Sequence, residues 1–353
     1  MPSEKFPWVL TRISKLTRGQ VTKMAEEFLK PENLHQNRAQ DNAPAWRYDI
    51  RGNCRLVMRL LTEMQLRAVV ALAPLVGDDN LAGNALVALL AESWRAGAQS
   101  LAHGSIEEGR PITIRAMGRS FHRPYETMRR ALRKLADMDL IELRDDGVVL
   151  CRDIATHPAV RKYLVQMHDI MVTLMDDLFV FAKLPLPPFA KGAATQDGLI
   201  LAALDLHLLG AEAMESLIAD WTGLLVISAI TAGNTRDITY HPELAFTYAA
   251  ADAIPPMHLR RPVLFKNLCE TLPICATTAW RRVTVLKMLG AVKTVDGGLV
   301  NDSKWFGNSK IVDSICSMVE RMHHIIGKIP LDISQGFAPE SHYITGRVPP
   351  VAL

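Results

Sequence analysis

Residues 111–150 of this chain recur, without a gap, 151 positions later. Pro111 pairs with Pro262, Thr127 with Thr278, Arg130 with Arg281, Leu135 with Leu286, Ile141 with Val292, and Gly147 with Gly298. A gapless repeat means that both copies satisfy the same local backbone, and that each buries its apolar face against its flanks or the other copy. Each copy reads as a short helix, a turn, a second helix and a two-stranded hairpin. In the first copy Pro124 opens the second helix, where its missing donor costs nothing. Met128, Leu132 and Leu135 then recur at helical spacing; Ala279, Val283 and Leu286 take these places in the second copy. Asp146-Gly147 and Asp296-Gly297 predict tight hairpin turns.

The likeness continues downstream at the same offset, where Leu164, Met167, Met171 and Leu174 match Ile315, Met318, Met322 and Ile325. Upstream, an offset of 156 aligns Met58, Leu61, Val70, Ala73 and Gly77 with Met214, Leu217, Val226, Ala229 and Gly233. The expected order is an N-terminal arm (1–49), a first repeat (50–182, core 111–151), a linker rich in Pro, Gly and Ala (183–198), a second repeat (199–330, core 262–301) and a C-terminal tail (331–353). Met167, Met171 and Met175 are expected in a packed core. The acidic pair Asp176-Asp177 is expected on the solvated side of its helix.

A chain of 353 residues can bury two or three cores. Hydrophobic residues make up 49% and aromatic residues only 6%, which favours a mainly helical protein. The formal charge of +3 is too small to argue for a polyanionic partner, so that case rests on local distribution. Five cysteines without a CxxC predict reduced thiols and a cytoplasmic location. No secretory h-region and no membrane-length apolar run is read, so no membrane association is expected. His323-His324 and the Cys269, Cys275 pair lack further ligands for a metal. GxxxxGK[ST], HExxH and GxSxG are all missing. The expectation is a protein without catalytic activity, cofactor or metal.

The local charge is decisive. From Arg115 to Lys134 there are seven basic residues against one acidic residue, Glu126. With PYETMRRALRKLADMDLIELRDDGVVL following a short helix, each copy resembles the winged helix-turn-helix of bacterial regulators of the MarR, GntR and Crp-like groups. The resemblance covers about 40 residues per copy. It implies a mainly α fold with small β-hairpin wings: two fused winged helix-turn-helix repeats whose flanking helices form a pseudo-twofold, dimer-like core.

That resemblance implies double-stranded DNA as the partner, with the second helix in the major groove. Thr127 and Arg130 would then reach base edges, beside Tyr125 and Glu126. Arg123, Arg129, Arg133 and Lys134 would meet phosphates, and Arg144 would be the favourable cation on the first wing. In the second copy Thr277, Thr278, Trp280, Arg281 and Arg282 stand near the groove side. Two unlike helices, about 34 Å apart, imply an imperfect palindrome or two unlike half-sites, read by a nucleoid-associated transcriptional regulator. Two rival functions fit the same residues: a plasmid-type replication initiator, and a non-catalytic protein-interaction or chromosome-organising module. A homodimer of whole chains is compatible with each.

Overall fold

The computed structural model describes residues 50–96, 109–182, 195–213, 221–329 and 338–353. The expected N-terminal arm, most of the linker, the start of the tail, and Met214 and Leu217 lie outside them. The protein is mainly helical, with two small antiparallel sheets. The first half contains α1 (Ile50–Val76), α2 (Asn80–Arg95), α3 (Ile114–Ser120), α4 (Tyr125–Ala136), β1 (Ile141–Leu143), β2 (Val148–Leu150) and α5 (Pro158–Asp177). The second contains α6 (Gln196–Ala213), α7 (Trp221–Thr239), α8 (Pro242–Thr247), α9 (Phe265–Thr271), α10 (Ala276–Met288), β3 (Val292–Val295), β4 (Gly298–Asn301), α11 (Ser303–Phe306) and α12 (Ser309–Ile326). Among the described residues no single helix is long and apolar enough to cross a membrane.

The gapless offset is kept by the backbone. Helices α3 and α9, α4 and α10, and α5 and α12 each start 151 residues apart. The residue entering each unit bridges the hairpin at the same offset, Ile112 with Val148 and Val263 with Leu299. This third segment explains the paired glycines. A Cβ at Gly147 would stand 3.0 Å from the Ile112 backbone, and one at Gly298 would stand 2.5 Å from the Pro262 side chain. The turns themselves differ. Asp296 and Gly297 have φ of 48° and 78°, as a two-residue hairpin turn requires. In the first hairpin Arg144 and Gly147 bond to each other at 2.8 and 3.3 Å, which puts Asp145 and Asp146 at the tip. The expected Asp146-Gly147 turn is therefore displaced by one residue.

Packing is reciprocal between the halves. Helices α5 and α12 each lie against both α1 and α6; α2 packs on α6 as α7 packs on α1; α2 supports α4 as α7 supports α10. By these contacts α1 corresponds to α6, and α2 to α7. The upstream offset of 156 equated α1 with α7 and is overturned. Gly77 lies just past α1 with φ of 66°, whereas Gly233 is buried inside α7. Apolar stripes recur every three or four residues in any packed helix, so unrelated helices align on stripes alone. The downstream match survives: Met167, Met171 and Met175 are buried in α5, and Met318 and Met322 in α12.

Asp177 corrects the solvated-face reading of its pair. It is buried, lies 3.7 Å from Arg67 of α1 and ion-pairs with Arg347, which also holds Asp176. Tyr240, directly after α7, donates to it at 3.3 Å. Nearby, buried Glu63 accepts two bonds from Arg236 of α7, at 2.8 and 3.1 Å. A polar seam thus joins α1, α5, α7 and the tail. An acidic residue inside an apolar helix is buried here because three other segments supply its donors.

The tail is pinned to α5 by Asp169. Its carboxylate accepts from the backbone of Ile344 and Thr345 at 2.8 Å, from Gly346 at 3.2 Å and from the Thr345 hydroxyl at 2.6 Å. Burial pushes this carboxyl up, but the bonds from Thr345, His168 and the tail amides outweigh it and hold it below its ordinary value. A depressed folded value stabilises above the unfolded value of about 3.9 and is lost as pH falls through the folded one. Urea unfolding at pH 6 and pH 3 should therefore show a smaller acid-induced loss for Asp169→Asn than for the wild type. Equal losses would remove Asp169 from the acid limb.

Candidate nucleic-acid interface

The first basic unit is shaped by its turn. Thr113 caps α3, its hydroxyl accepting from the Ala116 amide at 3.1 Å. His122 takes a left-handed conformation, φ 48°, and the Arg123 amide returns to the Gly118 carbonyl at 2.8 Å. A Cβ at Gly118 would stand 3.0 Å from the Arg123 carbonyl, so glycine permits this tight return. Pro124 then precedes α4, where Met128, Ala131, Leu132 and Leu135 are buried. Burying such a stripe supplies about 1.5–3 kcal/mol for each large side chain. The opposite face is left to solvent.

On that face Tyr125, Glu126, Arg130 and Arg133 are exposed, and Thr127 and Arg129 half-buried. Arg115, Arg119, Arg130 and Arg133 are all exposed and make no ion pair among the described residues. Other expected contacts are already engaged. Arg129 donates to Glu126 at 3.0 Å, and Arg144 to Glu142 at 2.7 Å. Lys134 donates to the Val76 carbonyl at 3.3 Å and lies 3.5 Å from Asp79, which ties α4 to the α1–α2 turn. Its side chain nevertheless stays 44% exposed.

Arg115 and Arg119 belong to the basic excess of the sequence, where no contact is assigned to them. Their i, i+4 spacing, which puts both on one face of α3, was the available signal. Arg115, Gly118, Arg119, His122, Arg123 and Tyr125 line one shallow notch between α3 and the start of α4. The left-handed backbone of His122 had only a weak signal: glycine and asparagine are the usual markers of that conformation, and histidine is merely enriched there.

The second unit keeps the frame and loses the charge. At the common offset, Glu270 stands for Arg119, Ile274 for Arg123, Trp280 for Arg129 and Thr284 for Arg133. Only Lys266 and Arg281 keep the charges of Arg115 and Arg130, and Lys266 lies 3.7 Å from Glu270. Thr277 and Arg281 are exposed; Thr278 is half-buried, its hydroxyl 3.0 Å from the Cys275 sulfur. That hydrogen bond holds the exposed Cys275 thiol below its ordinary value. Trp280 is 58% exposed and meets Phe265 edge-on at 5.6 Å.

Half-buried Arg282 faces inward. With Arg123 and Lys134 it lines a crevice of about 510 Å³ that also holds Asp78 and Asp79. Helices α4 and α10 are therefore neighbours across one crevice, with cations from both and two carboxylates at the α1–α2 turn. Comparison with protein-family models, curated proteins and solved structures gives no match to this chain.

Proposed function

We propose that the chain is a pair of fused winged helix-turn-helix units in a pseudo-twofold arrangement, and that it binds double-stranded DNA as a transcriptional regulator. One observation carries this reading: four arginines, Arg115, Arg119, Arg130 and Arg133, stand exposed on the α3–turn–α4 surface with no ion pair among the described residues. Exposed guanidiniums gathered on a short helix pair, while the apolar stripe is spent on packing, are what phosphate recognition requires. Arg130, on the exposed face of α4, is suited to bidentate contact with guanine, and half-buried Thr127 to a base edge. Arg115, Arg119 and Arg133 supply phosphate contacts. The second unit, poorer in charge, contributes through Arg281 and Thr277, so the preferred site consists of two unlike halves.

Selection of bound fragments from genomic DNA, followed by footprinting, tests this reading. A recovered asymmetric sequence, protected most strongly on one half, is expected. Recovery of tandem iterated repeats would favour the replication-initiator function instead. Failure to bind any duplex at about 50 mM salt, where phosphate contacts are strong, would remove DNA as the partner.

A further inference from the structure

Helix α1 of the first half packs on α12 of the second, and two cysteines meet in that contact. Cys54 lies in α1 and Cys316 in α12, and both are reduced thiols. Cys54 is fully buried, whereas Cys316 is half-buried. The Cys54 thiol reaches the Arg51 carbonyl of its own helix at 3.9 Å and hydrogen-bonds the Cys316 sulfur across the interface. The packing itself does not call for sulfur here. The counterpart of α12 on α1 is α5 on α6, and neither α5 nor α6 contains a cysteine. At the common offset Val165 stands where Cys316 does.

The two thiols are unequal. Its hydrogen bond to Cys316, together with burial, pushes the Cys54 thiol well above its ordinary value. The same bond, helped by the charge of Arg51, holds the Cys316 thiol below its ordinary value against burial and the carboxylates of Asp313 and Glu320. Arg51 also lies 3.5 Å from Asp313, and Arg55 acts on both sulfurs. One sulfur is therefore favoured as a thiolate while its neighbour keeps the proton. A thiolate beside a second, resolving thiol is the arrangement that reversible cysteine oxidation requires.

We propose that Cys54 and Cys316 form a modification site for peroxides, in which Cys316 takes the oxidant and Cys54 closes a disulfide between α1 and α12. In the first step the Cys316 thiolate attacks one peroxide oxygen. The O–O bond breaks, and the other oxygen leaves as hydroxide and takes a proton from solvent. Cys316 becomes a sulfenic acid, oxidised by two electrons as the peroxide is reduced. In the second step the Cys54 sulfur attacks the Cys316 sulfur. The S–O bond breaks, and the hydroxyl leaves as water with the Cys54 proton. Both helix–hairpin units lie between residues 54 and 316, so the bond encloses them in one covalent ring and staples the two halves. The site is independent of the DNA reading, because neither α4 nor α10 contributes to it.

Peptide mapping of the full chain after treatment with hydrogen peroxide tests the site, with remaining thiols blocked by iodoacetamide and no reductant added before mass analysis. A Cys54–Cys316 linked peptide is expected in most molecules, and dithiothreitol should remove it. In Cys54→Ala, dimedone should instead trap Cys316 as the sulfenic acid. Its label should exceed that of Cys269, whose thiol burial holds above its ordinary value, by about tenfold or more. In Cys316→Ser, Cys54 should stay reduced at the same dose. That variant changes a half-buried side chain and keeps the test open if Cys54→Ala does not fold. The proposal is overturned if the Cys54–Cys316 link is missing at a dose that oxidises exposed Cys275, or if either cysteine is linked mainly to another one. Equal labelling of Cys316 and Cys269 in folded Cys54→Ala, or undiminished oxidation of Cys54 in Cys316→Ser, would also overturn it.

Discussion

Asp177→Ala is expected to be the most destabilising single substitution in the polar seam, at about 3–5 kcal/mol. The magnitude comes from what is left behind. Arg67 is buried with its side chain only 2% exposed, and Asp177, at 3.7 Å, is the carboxylate that forms an ion pair with it. Removing that carboxylate strands a guanidinium whose other bonds go to the neutral Pro349 carbonyl and Tyr240 hydroxyl. It also releases Arg347, which is 44% exposed and regains water, so that half of the loss is small. Arg347→Ala should therefore cost about 1 kcal/mol or less beyond its packing. Thermal unfolding should show Asp177→Ala melting on the order of 5–10 °C below the wild type, with Arg347→Ala close to it. Equal shifts for the two variants would mean that the seam is held from the tail side and not through Arg67.

The difference between these two residues also marks where sequence reading stops. Positions governed by local backbone chemistry were readable: the helix opening after Pro124, the stripe of Met128, Leu132 and Leu135, and hairpins ending each unit. The 151-residue offset extended that knowledge to the second copy because identical local rules operate there. Asp177 was misread because its burial is decided by Arg67, Tyr240 and Arg347, which are distant in sequence. The correspondence of α1 with α6 was hidden for a similar reason, since it is expressed in which helix packs on which and not in residue identity. At the candidate interface, the basic excess was visible as a count. Which cations are spent internally was not: Lys134 is tied down by the Val76 carbonyl, a partner with no side-chain signature. The meeting of Cys54 with Cys316 was likewise unreadable, since the two cysteines share no motif and come together only through the packing of α1 on α12.

Charge reversal should separate the two units sharply. Arg119→Glu combined with Arg133→Glu replaces two exposed cations of the first unit without touching its buried stripe. The double variant should fold as the wild type does, since surface substitutions away from buried features are usually within about 0.5 kcal/mol. If the first unit is the principal DNA-binding surface, this variant should bind duplex about 100-fold more weakly or worse at about 100 mM salt. Its salt slope should fall by about 0.9 for each phosphate it no longer neutralises. The matching reversal in the second unit, Lys266→Glu with Arg281→Glu, should cost about tenfold or less, because Glu270 already offsets Lys266. Arg130→Ala should act differently from both, reducing the preference for the selected site over random duplex by about 1–3 kcal/mol. Fluorescence anisotropy on specific and random duplexes across a salt series measures all three. A larger effect from the second unit would reverse the proposed asymmetry. Equal weakening of Arg130→Ala on both duplexes would reduce that arginine to a phosphate-binding role.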